Sequence, residues 1–214
     1  EANLPRRHPA QLALAASGHF ADNRLDFDAD LGGKDGLSLK AKGNVATAGT
    51  SVRNLDVKAD LANLPAALAN GFIPGLAAEG TVSGTASVSG ALPKPAVDFK
   101  LDWKNAATAQ TKNSGLSGLS AAASGKYADD RVDFDANLAG KDGVLAKATG
   151  GVTIAGTAIR DLSINADIPA LPANIANAFV PGLGAEGTLS ANAVTSGTPE
   201  NPIVDFKLDW KDAA

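Results

Sequence analysis

The sequence predicts a mainly β protein: an elongated antiparallel β-sheet with one apolar face, built from two tandem units that each carry one short helix. Three observations predict it. First, "VDFKLDWK" stands at 97–104 and again at 204–211, and a shift of 107 aligns 17–107 with 124–214 without a gap, 53 of 91 positions being identical. All ten aromatics pair off in that alignment: Phe20 with Tyr127, Phe27 with Phe134, Phe72 with Phe179, Phe99 with Phe206 and Trp103 with Trp210. Self-similarity at a fixed period marks a stacked, extendable architecture. Second, apolar and polar residues alternate along most of each unit, the mark of half-buried strands. Third, Gly, Asn, Asp and Pro punctuate these runs at spacings that allow only short turns, so consecutive strands pair as an antiparallel meander.

The units are read as 1–107, with a lead-in strand, and 108–214, together forming one continuous domain. In "RLDFDADL" (24–31), Leu25, Phe27, Ala29 and Leu31 share one face, and Arg24, Asp26, Asp28 and Asp30 the other. The alternation continues through 37–45, 54–61, 81–89 and 96–104, each predicted as a strand. "ADNR" (21–24), "GKDG" (33–36), "ATAGTS" (46–51) and "GALPKP" (90–95) supply the turns. One segment breaks the period. "LPAALANGFIPGL" (64–76) and "LPANIANAFVPGL" (171–183) space Leu64, Leu68 and Phe72, or Leu171, Ile175 and Phe179, four apart. With Pro in the first turn and Pro-Gly after the end, each predicts a helix of about two turns. Too short to stand alone, it is expected across a sheet edge or end as a crossover. Each unit thus has about six strands, adding about 30 Å of sheet at roughly 4.8 Å per strand.

The candidate functional residues are those in phase on the apolar face. They are Leu14, Phe20, Leu25, Phe27, Leu31, Leu39, Val57, Ala59, Val82, Ala86, Val97, Phe99, Leu101 and Trp103 in the first unit. In the second they are Tyr127, Val132, Phe134, Leu138, Val152, Ile164, Ala166, Leu189, Val204, Phe206, Leu208 and Trp210. Small residues (Ala29, Ala41, Gly84, Ala136, Ala146, Ala148, Ala191, Ala193) share this face. Either they let two sheets approach closely in a dry core, or they leave room for an apolar ligand such as an acyl chain. Side-by-side repetition favours a long apolar gutter, more naturally a conduit than a specific pocket. Trp103 and Trp210 are core plugs on the first reading and groove floor or lip on the second.

Composition narrows the classes. Hydrophobic residues at 44% are enough for a core, with only 5% aromatics. A net charge of −4 with evenly spread signs lacks the clustered basic face of a nucleic-acid binder. Cysteine is absent. Methionine is absent too, position 1 included, so the chain reads as an excised piece of a longer protein. "EANLPRRHPAQLALAASG" has an apolar run too short and interrupted for a signal peptide, and no stretch is long enough to span a membrane, so any anchor is expected outside this piece.

No catalytic set is evident. His8 and His19 are the only histidines, Lys126 replaces His19 in the second unit, and no nucleophile elbow occurs. Two histidines without cysteine make a poor zinc set. Asp22, Asp26, Asp28 and Asp30 would interest Ca²⁺, but at alternate strand positions they read as a solvated face, and Asn137 takes the place of Asp30 in the second unit. Neither an enzyme, a metal nor a cofactor is expected.

The alternating units, the "GxxSG"-like turns and closing strands such as "PIVDFKLDW" (202–210) resemble the TamB family, in its C-terminal half. TamB proteins are the inner-membrane component of the bacterial translocation and assembly module, with wider AsmA-like, repeating β-groove lipid-transfer relatives. The resemblance covers essentially the whole chain. It implies a "β-taco", a sheet folded lengthwise around a hydrophobic groove. It also implies a periplasmic location with tethering to the inner membrane and an outer-membrane partner of the Omp85 class, TamA-like. The family's roles are outer-membrane protein assembly, linked to protein secretion, and phospholipid movement between the membranes. The expectation is a non-enzymatic groove carrying acyl chains; the alternatives are an adhesin-like repeat module with a closed dry core, and sheet edges that pair client strands.

Overall fold

In a computed structural model, the chain forms one open antiparallel sheet of twelve strands in strict sequence order. Residues 12–49, 51–71, 73–113, 115–116, 118–156, 158–178 and 184–213 are described. The strands of the first unit are β1 (Ala13–Ala21), β2 (Arg24–Gly32), β3 (Ser38–Ala48), β4 (Ser51–Pro65), β5 (Glu79–Ala91) and β6 (Lys94–Ala107). Those of the second are β7 (Leu119–Ala128), β8 (Arg131–Ala139), β9 (Leu145–Ala155), β10 (Ala158–Pro172), β11 (Thr188–Thr198) and β12 (Asn201–Lys211). Strands β2–β4 and β8–β10 begin and end 107 residues apart, so the duplication in sequence is a duplication in structure. β6 pairs with β7 across the 107/108 boundary, with Phe99 opposite Gly125 and Trp103 opposite Ala121.

The turns explain the meander. Asp22 and Asn23 between β1 and β2 have φ of 50° and 59°, and Asp129 and Asp130 between β7 and β8 have 49° and 62°. Two successive left-handed residues make the two-residue turn whose twist matches that of paired strands, and Asn and Asp tolerate it best. Each "KDG" forms a short 3₁₀ turn, Lys34–Gly36 and Lys141–Gly143.

The predicted short helix is present in each unit as a six-residue 3₁₀ turn, Ala66–Gly71 and Ala173–Ala178. Leu64–Pro65 and Leu171–Pro172 belong instead to the ends of β4 and β10. Phe72 and 179–183 lie outside the described residues, as do His8 and the rest of 1–11. These segments do not cross over: each joins strands that are neighbours in the sheet. A further short helix, α1 (Ala109–Asn113), links the units.

Because the strands alternate direction, all five longer connections gather at one end of the sheet, and the buried residues gather with them. Ala66, Ala78, Ala106, Leu119, Val144, Ala173 and Ala185 make up the buried apolar set among the described residues. Leu119 and Val144 pack with Ala106 against Trp103, Leu116, Leu138, Leu171 and Ile175. Asn70 clamps its loop, accepting from the Ala78 N–H at 2.7 Å and donating to the Ala78 carbonyl at 3.2 Å; Asn177 does the same to Ala185. Beyond this cap the sheet is a single layer. Its accessible surface of 14190 Å² far exceeds the roughly 9,100 Å² of a compact monomer of this mass.

Candidate functional site

Directly opposed residues in an antiparallel ladder share a face. Following the ladders strand by strand, all the residues singled out as lining the apolar face lie on one side of the sheet, from Leu14 and Phe20 on β1 to Val204, Phe206, Leu208 and Trp210 on β12. In the middle of the sheet the side chains are half-buried by their neighbours, as with Val57, Ala59, Val132, Phe134, Ile164 and Ala166. On the two outermost strands every residue is exposed.

The face is not uniform. Ala123, Ala136, Ala148, Ala166 and Ala193 are consecutive cross-strand neighbours on β7 to β11. The first four of these methyl groups, Ala123, Ala136, Ala148 and Ala166, floor a trough of about 440 Å³, with an almost wholly apolar lining. Val82, Leu101, Trp103, Leu138 and Ile168 form its walls. The trough lies beside the cap, since Trp103 and Leu138 line the one and pack against the other. Trp103 is anchored there, its indole N–H donating to the Glu79 carbonyl at 2.8 Å, and Trp210 repeats the bond to Glu186 at 2.8 Å. Trp103 is thus a held wall element of the trough, whereas Trp210 lies outside its lining and is 46% exposed.

A second row sets large residues against glycine. Phe27 is flanked by Gly18 and Gly43, and Phe134 by Gly125 and Gly150. A Cβ on Gly43 would stand 2.2 Å from the Asp56 carbonyl oxygen, and one on Gly150 2.2 Å from that of Ser163. The neighbouring strand passes so close that only glycine fits, and the position recurs in both units. Strand alternation carries no signal for these two glycines, because the absence of a side chain leaves it silent. Ala121, Ala123 and Ile168 share the face and the trough lining without standing out in the sequence. In "SAAAS" (120–124) polar and apolar positions are both alanine, so the phase of β7 is unreadable until Gly125 is placed opposite Phe99.

The opposite face carries the charges. Its larger concavity, about 980 Å³, runs from β3 to β10 between Lys42, Lys58, Lys100, Lys126 and Arg131 and the carboxylates of Asp60, Asp98, Asp133 and Asp135. A twisted sheet is saddle-shaped, so both faces can be hollow along different directions. The charged hollow is wide and wet; the apolar trough is the one whose filling gains free energy. Arg24 holds Asp26 at 2.9 Å, which keeps its guanidinium pKa above the ordinary value, and Arg131 holds Asp133 at 2.7 Å. Tyr127 donates to Asp130 at 3.3 Å, and desolvation followed by the Asp130 charge pushes its phenol pKa up.

The residues weighed for catalysis and calcium do not converge. His19 sits on edge strand β1 opposite Asp26, and Asp30 faces Lys40. Among the described residues no group of three or more His, Cys, Asp or Glu side chains is placed to hold a metal ion, and no helix is long and apolar enough to cross a membrane. No protein-family model, curated protein or solved structure matches the chain.

Proposed function

We propose that this chain is a non-enzymatic, TamB-like β-groove element that carries the acyl chains of phospholipids along its apolar face. The observation that carries the reading is one uncovered apolar face, continuous across twelve strands and hollowed into an alanine-floored trough. Soluble monomers rarely leave apolar patches above a few hundred Å² without a partner. Among the described residues no second sheet lies against that face, which favours an open face over the closed dry core. Acyl chains suit it: each buried methylene gains about 0.8 kcal/mol, the gain needs no specific contacts, and a floor of methyl groups lets a chain slide. Headgroups would stay in solvent. In this reading the protein works in the periplasm between inner and outer membranes, with the longer protein tethered to the inner membrane and meeting an Omp85-class partner.

The test is native mass spectrometry on protein purified without detergent, then incubated with phosphatidylethanolamine and phosphatidylglycerol vesicles. Adducts of phospholipid mass are expected, and Ala136→Phe with Ala148→Phe, which fill the trough floor, should remove them. Lys100→Ala on the opposite face should not. A clean apo mass before and after incubation would overturn the proposal.

A further inference from the structure

The ladders of the charged face keep one rule: directly opposed charges are complementary. Asp28 stands opposite Lys42 and Asp30 opposite Lys40, and Lys40 in turn faces Asp60. Asp98 faces Lys126, Lys126 faces Asp133, and Lys147 faces Asp167. Among the described ladders one pair breaks the rule, Lys42 on β3 directly opposite Lys58 on β4. From that pair we propose that the charged hollow holds a second binding site, for the phosphate group of a small, water-soluble, polyhydroxylated molecule. The site lies on the side of the sheet away from the trough, so it does not depend on what the apolar face carries.

The repeat shows that strand pairing does not need the two lysines. Residues 42 and 58 correspond to Thr149 and Asn165, which stand directly opposite each other on β9 and β10. The neighbouring positions are the same in both units, Ala41 opposite Ala59 and Ala148 opposite Ala166. Like charges at directly opposed positions destabilise a sheet, and a neutral pair fills the equivalent place. Neither lysine recovers the loss locally. Despite Asp28 on the next strand, neither Lys42 nor Lys58 forms an ion pair among the described residues; the nearest such pair is Lys40 with Asp30.

The surroundings specify the ligand. Both lysines line the hollow, together with Asp60, Thr85, Ser87 and Asp98. Ser87, half-buried, stands opposite Lys58 on one side and Asp98 on the other. Lys42, Lys58 and Ser87 therefore form one row across three successive strands. Opposed Cα atoms lie about 4.5–5.5 Å apart, so two ammonium groups on long stems and one hydroxyl can close on a single phosphate. Each ammonium brings a full charge and three donors to a group that only accepts.

The carboxylates narrow the class further. Asp60 and Asp98 flank the row and accept hydrogen bonds without donating any. They repel a bare anion and favour one whose phosphate carries hydroxyl donors beside it, the chemistry of glycerol phosphate and sugar phosphates. An acyl chain gains nothing in so polar a hollow. A phospholipid headgroup seated here would be separated by the sheet from the trough that suits its chains.

Amide NMR spectra of the whole chain, titrated at low salt with glycerol phosphate, inorganic phosphate and glycerol, test the site. Glycerol phosphate should shift the signals of Lys42, Lys58 and Ser87 saturably and leave those of Thr149 and Asn165 in place. It should bind more tightly than inorganic phosphate, and glycerol alone should shift nothing. Lys42→Thr with Lys58→Asn installs the pair that the second unit already carries, so the fold is kept. This double variant should weaken binding by about tenfold or more, since both ammonium partners are gone, with an unchanged circular dichroism spectrum. No saturable shift, equal affinity in the double variant, or equal shifts at Thr149 and Asn165 would each overturn the proposal. So would co-sedimentation with phosphatidylglycerol vesicles that the double variant loses while glycerol phosphate leaves the spectrum unchanged, because the ligand would then be a lipid headgroup.

Discussion

Leu119→Ala is the substitution that weighs the cap directly. Leu119 is the largest fully buried side chain among the described residues, held between Ala106 and Val144 with Trp103, Leu116 and Leu138 around it. A leucine removed from a packed site costs about 2–5 kcal/mol, transfer and cavity together. Connecting segments line one side of this site and can partly collapse, so we expect about 3 kcal/mol. The repeat supplies an internal control: Leu12 holds the same position in the first unit at 55% exposure. With under half of a leucine's burial of about 2 kcal/mol to lose, Leu12→Ala should cost no more than about 1 kcal/mol. The difference of about 2 kcal/mol is roughly a thirtyfold change in the unfolding constant. Urea unfolding followed by tryptophan fluorescence measures it, since Trp103 packs against this cluster. Equal midpoint shifts for the two substitutions would refute the argument that the cap, rather than the sheet surface, holds the apolar core.

Gly43→Ala and Gly150→Ala should each destabilise by about 1–3 kcal/mol in the same assay, because the added Cβ meets a carbonyl oxygen at 2.2 Å. Gly18→Ala, whose nearest atom would be 3.2 Å away, should cost clearly less. Tyr127 is the chain's single tyrosine, so phenolate absorbance reads it alone: its midpoint should lie above 10.0 and fall towards it in Asp130→Asn. The raised value means that the folded state holds the proton more tightly. Its contribution to stability is therefore full below the ordinary tyrosine pKa and is lost as pH climbs through the folded one. Arg24→Ala removes an ion pair whose side chains are about half exposed, and at moderate salt it should leave the urea midpoint unchanged within error.

The sheet was readable because its physics is local. Strict alternation in "RLDFDADL" and "VDFKLDWK" sets both the strand and its face, and two-residue turns at Asp22–Asn23 and Asp129–Asp130 leave a strand no neighbour but the next one. The ligand question was less readable. Whether "small and apolar" means close sheet packing or an open trough depends on what stands across from the alanines, and strand periodicity does not encode a second layer. The cap was almost invisible. Leu119 and Val144 lie at strand ends in segments without a period, and only their position after folding, beside Trp103 and Leu138, makes them a core. The helical segments illustrate a shared limit: spacing by four fits an α-helix, yet Leu64–Pro65 is drawn into the end of β4 and only the six residues Ala66–Gly71 form a turn, a 3₁₀ one.

The unusual composition follows from having one layer. In a sandwich a large inward side chain gains free energy by meeting the opposite sheet, so bulk is favoured. Here an inward Leu or Phe with no opposite layer stays partly wet, and each exposed methylene forgoes about 0.8 kcal/mol. An alanine row keeps that loss small when the trough is empty. Three of the large residues lie over backbone or against the cap, Phe27 between Gly18 and Gly43, Phe134 between Gly125 and Gly150 and Trp103 beside the cap, while others such as Leu25 and Leu101 stay exposed. The face is thus apolar enough to hold an acyl chain and lean enough to persist without one. Replacing the floor with Leu at Ala136, Ala148 and Ala166 should expose the other side of that balance: the unliganded protein should aggregate at lower concentration than the parent chain, as light scattering would show. Equal solubility would mean that the alanines serve sheet geometry alone, and the small-residue floor would lose its link to the empty state.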